Sequence, residues 1–306
     1  MMQQATDRLS SCGEIQRRIA QVYELPAMPE MAQHILALRS NPNASATDLA
    51  NVVQFDPSLS AQIVHYAMSP FFGYRGAVDS LHDAIARVLG FDMVLNMALG
   101  LATSKSFRNP MDGPLGLHAF WRHAVYSAAL VQAIAAVVPR ERRPKPGMAY
   151  LAGLLHNFGF LLLGHLFPPE FQLLNKLVAA NPDTPVTDLE KRVLGMGQAR
   201  QCLDMGHAQV GGWLMDHWHM PEEVTITLKE HHNPNYAGDH AVYPQLVLVA
   251  THLLKRYEIG DAADGELPHA AMDALGIEEA QAGEIVERLV QNASYLDAMA
   301  RQLAPL

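Results

Sequence analysis

Apolar residues recur along most of the chain at three- and four-residue intervals, the period of a helix with one buried face. Ile15, Ile19 and Val22 share this spacing, and Met31, Ile35 and Leu38 repeat it up to the breaker Asn41-Pro42-Asn43. Ser45 and Asp48 form a capping-box pattern before Leu49 and Val52. Asp56-Pro57 places a cap residue ahead of a proline at the first helical position, and Leu59, Ile63 and Tyr66 follow. Ser80 and Asp83 open another helix, with Leu81, Ile85 and Val88 on its apolar side and Gly90 at its end. Asp92 opens the next, which runs through Leu101.

The second half continues the pattern between breaks at 109–116, with two prolines and two glycines, and at 139–147, with three prolines. The run Ala149 to Phe167 has 19 residues and no formal charge. Its length alone permits a membrane span, but His156, Asn157, His165 and three glycines interrupt it. A helix buried on all sides reads the same way, so a continuous core helix and no membrane partner are expected. Further helices are expected after Pro168-Pro169, over Asp188 to Leu194, from Gly206 to Trp218, from Pro221 to His232, and from Tyr243 to Tyr257, with Pro268 to Leu303 closing the bundle. No segment alternates in the manner of a strand. The fold class is therefore all-α, a helical bundle.

The chain has 306 residues, 49% hydrophobic and 17% charged, which excludes a disordered protein. Its two cysteines, Cys12 and Cys202, cannot build a disulfide framework, and the opening MMQQATDRLSSC lacks the apolar core of a signal peptide; a cytoplasmic setting is expected. A net charge of −9 opposes a duplex nucleic-acid partner. The basic stretch Arg140, Arg142, Arg143 and Lys145 is short and interrupted by Glu141, and reads as a solvated loop.

Histidine is the compositional anomaly. There are 15, and 11 of them lie between His118 and His252. Five fall on four separate expected helices: His123, His156, His207 and the pair His231-His232. Packed helices can carry such scattered residues into one metal site, although this spacing is not itself a ligand motif. His165, His217, His219 and His252 read as cap or surface residues, and Trp121, Trp213 and Trp218 as packing residues. The 15 methionines follow helix faces, as gap-fillers do.

Gly153-Leu154-Leu155-His156-Asn157-Phe158-Gly159 resembles the GLLHDIG core of the HD phosphohydrolase superfamily, with asparagine in place of aspartate. Phe120-Trp121-Arg122-His123, Gly206-His207-Ala208-Gln209-Val210-Gly211, Trp218-His219-Met220-Pro221 and His231-His232 follow that superfamily in order and spacing. Leu25-Pro26-Ala27-Met28-Pro29, Asp56-Pro57-Ser58-Leu59, Ser80-Leu81-His82-Asp83-Ala84-Ile85 and Leu89-Gly90 narrow the resemblance to the HDOD family, an HD-related signalling group. The resemblance covers about residues 18–260. It implies an extension at 1–17, an HDOD-like N-terminal helical half at 18–108, a degenerate HD-type half at 117–260 and a helical tail at 261–306.

The same resemblance implies His123, His156, Asn157, His207, His231, His232 and Thr251 as superfamily ligand positions, either metal-holding or vestigial. Active relatives, including HD-GYP phosphodiesterases, carry aspartates where this chain has Asn157 and, near the second position, Thr251. Two divalent ions need anionic ligands to offset their repulsion, and imidazoles, an amide and a hydroxyl supply none. Hydrolysis by the superfamily mechanism is therefore not expected. Four or five imidazoles can still hold one Zn, Fe or Ni ion, with Asp204 or Glu230 as a candidate carboxylate. A metal-free cluster of mutually bonded side chains is equally open, so no cofactor is required. The expected function is a non-enzymatic signalling or regulatory module that contacts a protein partner in trans or a nucleotide ligand. The alternative is a metal-dependent phosphohydrolase of nucleotides or cyclic dinucleotides.

Overall fold

The computed structural model describes residues 25–304 apart from 73, 75, 77, 104–106, 108, 111, 195–205, 263–265 and 292. The expected helix through Ile15, Ile19 and Val22 lies outside the described residues, as do Asp204 and both cysteines. Among the described residues there are helices and turns and no strand.

The first half contains α1 (Glu30–Arg39), α2 (Ala46–Val53), α3 (Pro57–Ala67), α4 (Leu81–Asp83) and α5 (Phe91–Thr103). The expected caps form. Ser45 and Asp48 make a reciprocal capping box, and the side chains of Asp56 and Ser80 accept from the backbone N–H groups of Leu59 and Asp83. After α4 the chain widens into a π-helical stretch over Ala84–Leu89, closed where Gly90 donates to the carbonyl of Ile85. Gly90 has φ 82°, the left-handed conformation that ends this element.

The second half contains α6 (Leu117–Ala135), α7 (Pro146–Leu155), α8 (Phe158–Leu166), α9 (Pro168–Ala180), α10 (Val186–Leu194), α11 (His207–His217), α12 (Glu222–Glu230) and α13 (Val242–Lys255). The tail adds α14 (His269–Leu275), α15 (Glu279–Gln291) and α16 (Ala293–Leu303).

The expected single helix over 149–167 is two helices. His156 closes the last turn of α7 on the carbonyl of Ala152, and Asn157 precedes the first residue of α8. Periodicity could not show this break, because the segment is apolar on every side. The run Pro146–Leu166 is long and apolar enough to cross a membrane, and its residues 147–164 are all buried in the bundle.

Helix α7 is the hub. It packs against α6, α12 and α13 and, from the first half, against α5, so the two halves share one core. Trp218 Nε1 donates to the carbonyl of Pro26 at 2.9 Å and ties the start of the described chain to the end of α11. The tail helices α15 and α16 pack on α6. The basic loop is partly a tether, with Arg142 reaching the carbonyl of Ala274 at 2.7 Å and Arg143 that of Val138 at 3.0 Å.

Candidate metal centre

Helix ends converge on one buried point. His156 and Asn157 occupy the break between α7 and α8, His207 is the first residue of α11, and His231 ends α12 with His232 after it. His123 reaches the same point from the middle of α6. Asparagine before a helix ordinarily caps it. The Asn157 side chain instead faces His123 Nδ1 at 3.3 Å and donates to Asp261 Oδ2 at 3.1 Å.

The ring contacts form a continuous chain. Centroids are 4.9 Å apart for His123 and His156, 5.2 Å for His156 and His231, 5.3 Å for His207 and His231, and 4.1 Å for His231 and His232. Phe160 stacks on His207 at 3.9 Å and closes one side.

Outer acceptors orient the rings. His156 Nδ1 lies 2.8 Å from the carbonyl of Gly153, and His231 Nδ1 lies 2.8 Å from that of Leu228. His207 Nδ1 lies 2.9 Å from Glu190 Oε1. Each acceptor requires a proton on Nδ1, which leaves the Nε2 lone pair of each ring turned inward, as metal-ligating histidines require. His207 Nε2 is 3.3 Å from His231 Nε2 and 3.0 Å from His232 Nε2. Ligands at ~2.0–2.1 Å from a tetrahedral ion stand about 3.4 Å apart, so this group fits one cation. A second group, His123, His156 and Asp261, brings its ligand atoms within 4.8 Å of one another.

Burial sets the protonation of the centre. It pushes His156 and His231 well below the ordinary imidazole range, lowers His123, and takes His232 to about 3, with neighbouring histidines adding to the shift. His207 moves the other way, because the charge and hydrogen bond of Glu190 together outweigh its burial. Burial opposes ionisation of Asp261, but the surrounding imidazoles hold it below the usual carboxylate range.

The structure places six of the seven expected ligand residues in the cluster. Thr251 is buried nearby on α13, but its hydroxyl donates back to Val247 and Leu248 of its own helix, at 3.1 and 3.0 Å. The Glu230 carboxylate accepts from Asn233 at 2.9 Å at the surface. Two carboxylates that the sequence reading did not mark stand at the centre. Asp261 reaches it from the loop after α13, and Glu190 reaches it from α10 with a side chain 2% exposed. Neither belongs to a histidine motif or falls at a helical interval from one. Glu190 left a faint signal as an acid on the amphipathic face of α10 beside Leu189 and Val193.

A cavity of about 190 Å³ reaches the centre at His123, Asn157 and Asp261, with Arg122 and Phe120 in its wall. A hollow of about 410 Å³ touches His232 and Glu190 from the other side. Neither is lined by both ligand groups.

Residues 25–234 match the family model described as HDOD domain. A candidate signal-transduction protein from Marinobacter aquaeolei VT8, known from its crystal structure, is 37% identical with a TM-score of 0.81, covering 98% of this chain and 66% of its own. A candidate phosphohydrolase from Shewanella amazonensis SB2B is 20% identical with a TM-score of 0.69, covering 94% of this chain and 98% of its own; at that identity the likeness is one of fold. A Treponema pallidum (strain Nichols) protein of undescribed function is 22% identical over 259 residues, 84% of this chain. The chain spans about half, 47%, of that relative and 66% of the Marinobacter protein.

Proposed function

From the premise that this chain belongs to the HDOD domain family, we propose that it is a signalling or regulatory module working through a protein partner, with its histidine centre as a metal-holding core rather than an open active site. The burial of the centre carries this reading. His123, His156, His207 and His231 are each no more than 5% exposed. The cavity that reaches His123, at about 190 Å³, is below the ~300–1,000 Å³ of ordinary ligand sites, and the hollow of about 410 Å³ touches only the His232 and Glu190 edge of the centre. The entrance at His123 is too small for a nucleotide, and of the two expected partner classes this reading takes a protein. The 37% identical structure assigned to signal transduction supports the same reading.

His207, His231 and His232 fit one divalent transition metal, with Glu190 fixing the tautomer of His207. A bound ion would crosslink the start of α11 to the end of α12, supplying folding energy.

The second reading, a metal-dependent phosphohydrolase, is favoured by Asp261, a carboxylate where an active centre needs one. Incubating the full chain with nucleotides and cyclic dinucleotides in the presence of Mn2+, Fe2+ or Zn2+ separates the two. The expected result is no turnover. Turnover that disappears in His156→Ala would establish the second reading.

A further inference from the structure

The loop after α13 enters the centre through Gly260 and Asp261. Gly260 has φ 98°, and a Cβ there would stand 2.6 Å from His123 Nε2. Glycine alone allows so close an approach in that conformation. The approach sets Asp261, 5% exposed at its side chain, with Oδ1 at 3.6 Å from His123 Nδ1 and Oδ2 on the Asn157 amide.

Four buried polar atoms here lack a hydrogen-bond partner among the described residues: His123 Nε2, His156 Nε2, Asn157 Oδ1 and Asp261 Oδ1. Native interiors rarely leave even one such atom unsatisfied. The tautomer of His156 is set by Gly153, so its Nε2 offers a lone pair. Two imidazoles and a carboxylate, with an amide oxygen beside them, make a donor set for a borderline divalent cation such as Mn2+, Fe2+ or Zn2+.

We propose that Asp261 supplies the carboxylate of a second divalent-cation position, formed with His123 and His156, beside the one at His207, His231 and His232. Asp261 thereby takes over the anionic role that the HD resemblance gives to positions 157 and 251. The proposal rests on the reading of the centre as metal-holding. Its electrostatic reason is the short path between the two groups, since the His156 and His231 rings are 5.2 Å apart. Two cations so close repel strongly in a low-dielectric interior, and a buried carboxylate offsets that repulsion. Asp261 also lies on the path from α13 to the tail, so an ion there fastens the tail's entry to the centre.

The test is stoichiometry on the full chain, stripped by chelator and titrated with Mn2+ or Zn2+, with elemental analysis and circular dichroism on every variant. Wild type is expected to take two equivalents, Asp261→Asn one, His207→Ala one, and Asp261→Glu two. With Mn2+, wild type is expected to show a spin-coupled pair that becomes an isolated ion in Asp261→Asn. Gly260→Ala keeps the Asp261 side chain but displaces the loop that carries it, and is expected to weaken the second equivalent at least tenfold. It keeps the test open if Asp261→Asn fails to fold. One equivalent in wild type, lost in His207→Ala and unchanged in Asp261→Asn, overturns the second position and leaves the metal-holding reading standing. Two equivalents that survive Asp261→Asn overturn the role of Asp261. No uptake by wild type overturns both.

Discussion

One carboxylate oxygen, Glu190 Oε1, accepts two hydrogen bonds from His207, from its backbone N–H and from Nδ1, each at 2.9 Å. The first satisfies an orphan donor at the start of α11, where a negative charge also suits the helix dipole. The second fixes the imidazole with its Nε2 toward His231 and His232. Glu190→Gln keeps the size of the side chain and removes its charge. It is expected to weaken the ion at the three-histidine group by about 10–100-fold, while the group containing Asp261 keeps its affinity. Calorimetric titration reads both, and unchanged affinity at the three-histidine group would show that Glu190 acts only as a helix cap.

The metal-free chain is expected to lose stability in acid. His156, His231 and His232 have folded-state values below the unfolded value of about 6.5. As the pH falls below that value, the unfolded chain takes up protons that the folded chain refuses. The contribution is thus full above about pH 6.5 and shrinks below it, by up to about 1.4 kcal/mol per group per pH unit. For His232 the loss continues to about 3. His207, raised by Glu190, opposes the trend with stability that is present at low pH and lost as pH rises through its folded value. Melting temperature measured with chelator should fall between pH 7 and pH 5, and a flat profile would contradict the burial of neutral imidazoles.

Gly159 and Gly283 should respond oppositely to alanine. A Cβ at Gly159 would collide with the carbonyl oxygen of His207, so α8 and α11 must separate. Gly159→Ala is expected to cost about 1–3 kcal/mol and to weaken metal binding at His207. A Cβ at Gly283, inside α15, meets nothing within 4 Å. Gly283→Ala should stabilise by about 0.5–1 kcal/mol through helix propensity. Denaturant midpoints of the two variants on opposite sides of wild type check this.

Asp297 holds the tail on α6. Its Oδ1 accepts from Tyr126 Oη at 3.0 Å and from Arg122 Nε at 3.1 Å. Tyr126 keeps a second acceptor in the carbonyl of Ala293 at 3.2 Å, and the ion pair is partly exposed. Asp297→Ala should therefore cost only about 1 kcal/mol. Hydrogen exchange should rise in α16 before it rises in α7, and a uniform rise across the chain would contradict a locally held tail.

Addition of Zn2+ to stripped protein should raise its melting temperature, because an ion that binds only the folded chain stabilises it by about 2.7 kcal/mol at one hundred times its dissociation constant. His231→Ala should abolish that increment at the three-histidine group. An unchanged response in that variant would place the ion elsewhere.

The sequence by itself determined the helices, because their signals are local. Ser45 with Asp48, Asp56 with Pro57, and Ser80 with Asp83 act within one turn, and each forms as expected. It also marked five histidines that the bundle brings into one chain of ring contacts. Tertiary structure decided the rest. The break at His156-Asn157 is set by packing on all sides of an apolar segment, which leaves no periodicity to read. The carboxylates come from Glu190, 17 residues before His207, and Asp261, 104 residues after Asn157. Neither separation follows a helical repeat, because the chain reaches the centre from different elements. Thr251 sits at the position the resemblance marks, yet its hydroxyl bonds within its own helix. The histidines were legible because motifs preserve local spacing, while the charge that completes their site depends on which loop passes near them in space.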